Sequence, residues 1–112
     1  MSVCVIGFGD DLMELLTKEL RERIPKLYSQ EDVTDPIVVA KFFTPDANWS
    51  WYVLEFDGRD IFFGYVDGLQ PELGYFTLSE LTDIRGPMGM KIERDIYWDE
   101  KPLSEVEKDV EG

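Results

Sequence analysis

The chain has 112 residues, 44% of them hydrophobic and 13% aromatic, which is enough apolar material for one globular core and too much for a disordered chain. Its 24 acidic residues outnumber 11 basic ones for a net charge of −13, which argues against direct nucleic-acid binding, a task for clustered Lys and Arg, and permits a basic protein partner. The lone cysteine, Cys4, excludes an internal disulfide, and no apolar run reaches the length of a membrane span, so the expected setting is the cytoplasm.

Residues 2–8 read as a short strand or a loose arm. They lack the positive flank of a signal peptide, and Asp10-Asp11 follows at once. Gly7-Phe8-Gly9 imitates the start of a dinucleotide fingerprint, but the third glycine position holds Leu12. Asp10 or Asp11 is a suitable N-cap for a helix, and Leu12, Leu16, Leu20 and Ile24, with Leu15 beside them, form one apolar stripe. Acidic residues lie early in that helix and basic ones late, as the helix dipole favours, and Pro25 stops it.

Tyr28 to Pro36 is a polar loop. Ile37 to Phe43 reads as a strand, Thr44 to Asn48 as a turn cluster, Trp49 to Phe56 as a second strand and Ile61 to Asp67 as a third. Asp57-Gly58 between the last two is a hairpin signal. Gly74 to Phe76 forms a short fourth strand. Thr77 then opens a second helix, with Glu80 completing a capping box and Phe76 and Leu81 at the staple positions, and Gly86-Pro87 ends it. Lys91 to Trp98 reads as a helical turn running into an extended piece, and Leu103 to Val106 as a last turn before an acidic tail. The expected fold class is α+β: a small antiparallel sheet of 3–4 strands flanked by an N-terminal amphipathic helix and a short second helix. The expected organisation is an arm at residues 1–12, one domain over 13–106 and a tail at 107–112.

Lys41 to Gly64 packs eight aromatic residues into two extended runs. Strict alternation puts Trp49, Trp51, Val53 and Glu55 on one face and Ser50, Tyr52, Leu54 and Phe56 on the other. Neither face is polar throughout, so either both are covered or one is left for a partner. Covering by the first helix and the C-terminal segments is the commoner arrangement. The alternative is a partner-binding surface of Trp49, Trp51, Tyr52, Glu55 and Asp57, since exposed Trp and Tyr mark interaction sites. Gly64 in mid-strand signals a bulge or a close backbone approach.

The segments NWSWY, EFDG, ELGYF and RGPMG occur together in the chain. In this the sequence resembles a bacterial family catalogued as domain of unknown function 2958, from about Leu12 to Val106. The resemblance implies a small cytoplasmic α+β domain with a role in plasmids, integrative elements and phages. It carries over no catalytic residues.

The absence of histidine removes Ser-His-Asp and Cys-His catalysis and His-ligated zinc, and no cofactor motif stands. Carboxylates alone can hold Mg²⁺, with Asp46, Glu55, Asp57 and Asp60 as candidates, but Asp57 stands where a nuclease site needs lysine, so no metal site is assigned. Arg85, Lys91 and Arg94 beside Gly86 and Gly89 suggest a shallow anion site, against the plainer reading of structural ion pairs. Eleven acidic residues between Tyr28 and Ile84 face only Lys41 and Arg59. The expectation is therefore a protein-binding accessory factor of a mobile element with a basic or DNA-binding protein partner, in one form an acidic imitation of nucleic acid aimed at a host defence factor. The alternative is a carboxylate-based metal-dependent enzyme or a binder of small anions. Oligomeric state is not legible.

Overall fold

A computed structural model describes residues 15–111. The first described helix, α1 (Lys18–Arg23), is capped by Thr17, whose hydroxyl accepts the Leu20 N–H at 3.1 Å. The arm at residues 1–12 and the cap expected at Asp10 or Asp11 lie outside the described residues. Leu15, Leu16, Leu20 and Ile24 are all buried, but of the expected stripe only Leu20 lies within the helix: Leu15 and Leu16 are non-helical before the Thr17 cap, so the helix is shorter than its periodicity suggests, and Ile24 turns extended before Pro25 because the proline ring disfavours a helical predecessor.

Seven strands follow: β1 (Ile37–Val38), β2 (Ala40–Phe43), β3 (Ser50–Phe56), β4 (Ile61–Asp67), β5 (Pro71–Thr77), β6 (Glu93–Arg94) and β7 (Lys101–Pro102). Five make an antiparallel sheet in the order β5-β4-β3-β2-β6, and β1 pairs with β7 in a second, two-stranded sheet. The architecture is thus α+β, with more strands than the three or four expected. Ile37 to Phe43 splits between the two sheets. The fourth strand spans seven residues rather than three. Glu93-Arg94 pairs with β2 where a helical turn was expected. A two-residue polar strand such as Glu93-Arg94 carries no periodicity, so its partner alone makes it a strand.

The helix α2 (Leu78–Asp83) has the expected capping box, with reciprocal bonds between Thr77 and Glu80. Asp60 reinforces it from the hairpin, accepting the Ser79 N–H and hydroxyl at 2.8 and 2.9 Å. A third helix, α3 (Leu103–Glu111), replaces the expected single turn and occupies most of the stretch assigned to an acidic tail. Asp35, 69 residues away, caps it by accepting the Ser104 N–H and hydroxyl at 2.9 and 2.6 Å. The Tyr65 hydroxyl donates to Glu111 at 2.7 Å and holds the far end.

The five-stranded sheet is covered on both sides. One face packs Phe42, Trp51, Val53 and Phe62 against Leu16, Leu20, Leu81 and Ile92. The other packs Tyr52, Leu54 and Tyr65 against Val38, Leu103 and Val106, with Trp98 and Phe63 half-buried beside them. Between Val53 and Glu55 the β3–β4 register shifts, with Val53 opposite Gly64 and Glu55 opposite Phe63. That bulge at Leu54 breaks strict alternation: Phe56 joins Trp51 and Val53, and Glu55 turns to the side of Tyr52 and Leu54. Gly64 sits beside the bulge, where a Cβ would overlap the Tyr52 carbonyl oxygen.

Two outcomes are expected. Gly64→Ala must push two paired strands apart, so denaturant unfolding should show a loss of about 2 kcal/mol or more with an unchanged far-UV signature. Hydrogen bonds from Ser104 hold the Asp35 carboxyl below the usual range, and backbone bonds, chiefly from Arg59, do the same for Asp57. NMR titration should place both midpoints below the ordinary aspartate value of about 3.9. Their contribution to stability should be complete above that pH and vanish as pH falls through the lowered folded values.

Candidate functional site

The residues singled out for partner binding do not share a surface. Trp51 and Tyr52 are buried, 5% and 7% exposed, on opposite faces of β3, while Trp49 before the strand is 38% exposed. The Trp49 ring stacks on Trp51 at 5.8 Å between centroids and rests on Gly68, which leaves room for it by lacking a Cβ. Trp49 and Tyr52 line one shallow depression with Lys41, Asp67 and Asp109, and the Lys41 ammonium already lies 5.5 Å over the Tyr52 ring.

The four acidic candidates hold the backbone together at three separate places, Asp57 and Asp60 sharing the β3–β4 turn. Asp46 Oδ2 accepts the Met88 and Met90 N–H groups at 2.8 and 3.4 Å, clipping the 85–91 loop to the β2–β3 turn. Asp57 Oδ1 accepts three successive amides, of Arg59, Asp60 and Ile61, at 2.8, 2.8 and 3.0 Å, which closes the hairpin with Gly58 at φ +89°. Asp60 caps α2. Glu55 is 4% exposed, and its two oxygens accept the Tyr28 and Gln30 N–H groups, both at 2.8 Å. Among the described residues no three or more His, Cys, Asp or Glu side chains are grouped to hold a metal ion.

The basic trio is also divided. Arg85 and Lys91 face each other across a one-bridge hairpin, and the Arg85 guanidinium donates to the Thr82 and Ile84 carbonyls at 2.9 Å, closing the end of α2. Arg94 lies on β6 and lines a different depression with Glu19, Arg23 and Asp95.

The structure displays another surface. Where the loop after α1 crosses the α3 side of the sheet, Tyr28 takes φ +70°, a conformation that a side chain opposes. The Glu55 carboxylate holds it there through the two amides. That loop, the first turn of α3 and the β4–β5 half of the sheet enclose a cleft of about 410 Å³ with Leu54 and Phe63 in its lining. Leu73 and Tyr75, both on β5, are 50% and 58% exposed at its edge, Tyr28 is 57% exposed, and Val33 is also open. A second apolar depression on Tyr28 and Tyr75 continues it toward Ile61. The Tyr75 hydroxyl is raised above its ordinary pKa, first by its hydrogen bond to Tyr28, then by partial burial and the nearby Glu55 and Glu31 charges. Leu73 and Tyr75 alternate in the sequence, a legible strand signal; their place at the edge of the sheet was not legible, because pairing order decides it.

Removing the Glu55 carboxylate strands two part-buried N–H groups and frees a strained residue. Glu55→Ala is expected to lower stability by about 2–3 kcal/mol in urea unfolding, with Glu55→Gln, which keeps one acceptor oxygen, losing less. Loss of amide-exchange protection at Tyr28 and Gln30 in the alanine variant would mark the loop as the part released.

Among the described residues no helix is long and apolar enough to cross a membrane. No curated protein and no solved structure matches the chain. A family profile matches residues 15–109, which take in every described element but the last two residues of α3, and on that match the chain belongs to the family described as protein of unknown function (DUF2958).

Proposed function

We propose that this protein is a protein-binding module that receives a basic partner at the cleft beside β5. The observation that carries the reading is that Tyr28, Leu73 and Tyr75, each about half exposed, line one cleft together. Monomeric proteins seldom expose contiguous large apolar side chains without a use for them, and tyrosines are favoured at interfaces. The setting we assign, from the family resemblance, is an accessory role for a mobile element in the cytoplasm.

Charge supports a basic partner. Glu31 and Glu80 stand in the linings of the two depressions, Glu72 lies on β5, and the whole chain carries −13. Such a field speeds encounter with a cationic surface and repels copies of itself. Imitation of a phosphate backbone is the weaker form of the idea. Asp35, Asp46, Glu55, Asp57, Asp60 and Glu80 all turn carboxylate oxygens to this chain's own amides and hydroxyls rather than forming an outward ridge.

Site-specific photo-crosslinking tests the reading. A benzophenone amino acid at position 75 should trap a protein partner in the native host. The same probe at Tyr97, exposed but remote from the cleft residues, should not. The product should fade at about 0.5 M salt and disappear in a Leu73→Ser variant of the probe-bearing protein, a surface change expected to alter stability by no more than about 0.5 kcal/mol. Equal capture from both positions, or capture indifferent to Leu73, would remove the basis for the proposal.

A further inference from the structure

Resting on that docking reading, we infer that the partner is bound as an added β-strand: an extended segment of alternating apolar and basic residues pairs with the open edge of β5. The phase of the β4–β5 ladder carries the argument. The Leu78 N–H donates to the Asp60 carbonyl at 2.8 Å, and Ile61 stands opposite Thr77. In an antiparallel ladder, inward-bonded pairs alternate with outward ones. Residues 72, 74 and 76 therefore bond to β4, and Leu73, Tyr75 and Thr77 turn their backbone groups away from it. Thr77 provides an independent check, because its N–H donates to Glu80 Oε1 at 3.0 Å, on the side away from β4. Among the described residues, no backbone group outside β4 bonds to the N–H or C=O of Leu73 or Tyr75.

The usual guards of an exposed edge are lacking here. Natural edge strands are blunted by lysine, proline, bulges or shortness. β5 pairs with all seven residues in unbroken register, carries no lysine, and places its one proline at the first position, Pro71, where it leaves Leu73 and Tyr75 accessible. The same two residues that offer backbone groups also lie at the cleft edge. An added strand would therefore gain hydrogen bonds from β5 and set alternate apolar side chains beside Leu73 and Tyr75, the pattern of strand-addition recognition. Charge chooses the occupant. A second copy would bring another −13 and its own Glu72 to this edge, whereas Lys or Arg alternating with the apolar residues of the added strand would fall on the face of the sheet that carries Glu72.

The test uses the intact protein and a synthetic peptide of alternating Lys and Val, about seven residues long, with amide exchange followed by NMR. Saturating peptide at low salt should slow exchange at Leu73 and Tyr75 by about tenfold or more. A peptide N-methylated at alternate residues, which keeps its charge and side chains but cannot pair, should give no protection, and a Glu–Val peptide should not bind. Peptide-induced shifts without protection at those two amides, or no binding of the Lys–Val peptide at millimolar concentration, would overturn strand addition. Protection that appears on raising protein concentration alone would assign the edge to a second copy and equally overturn it. The two readings fail separately: crosslinking at position 75 that depends on Leu73 while the amides stay unprotected leaves the docking surface standing and removes only the added strand.

Discussion

The Glu55 carboxylate is the constraint on which the cleft side of this molecule depends. A buried carboxylate is costly unless its oxygens are bonded, and both oxygens here accept backbone amides at 2.8 Å. Bonds of that charge-assisted kind are each worth about 1.5–3 kcal/mol, more than the roughly 1–2 kcal/mol that a left-handed tyrosine costs. The carboxylate can reach the loop only because the bulge at Leu54 turns it to the α3 side of the sheet. A displacement of one residue in one strand thus fixes a loop some 27 positions away, and the loop becomes a wall of the cleft.

Coverage of the sheet is uneven for a geometric reason. α1 and α2, six residues each, seal one face together with the chain around Ile92. The other face depends on α3, which is nine residues long and seats Leu103 and Val106 over the middle of the sheet. A helix of that length spans only about 14 Å. It leaves the β4–β5 half to Tyr28 and the loop, which close it incompletely, so Tyr28 and Tyr75 stay about half exposed while Trp51 and Tyr52 disappear into the two cores.

Acidity has two separate uses in this chain. Carboxylates at Asp35, Asp46, Asp57 and Asp60 act as caps and turn closures, substituting for backbone acceptors at helix starts and loop amides. With only three short helices among the described residues, such caps join distant segments: Asp35 ties the loop to α3, and Asp46 ties the 85–91 loop to the β2–β3 turn. Acids outside such bonds give the surface its field.

The sequence by itself determined the features that arise within a few residues. The burial of the leucines before Pro25, the Thr77–Glu80 capping box, the stop at Pro25, the Asp57-Gly58 turn and the strand from Ile61 to Asp67 all follow from local backbone preferences and periodicity. The close approach at Gly64 was also legible, because a glycine in mid-strand needs a reason. Tertiary structure alone decided the splitting of Ile37–Phe43 between two sheets, the strands at Glu93 and Lys101, the inward turn of Glu55, and the edge position that leaves Leu73 and Tyr75 open. Each of these depends on a partner far along the chain, as Val38 does on Lys101 and Glu55 on Tyr28. Which distant segments meet is settled by filling both faces of the sheet at once, a condition that no local pattern contains.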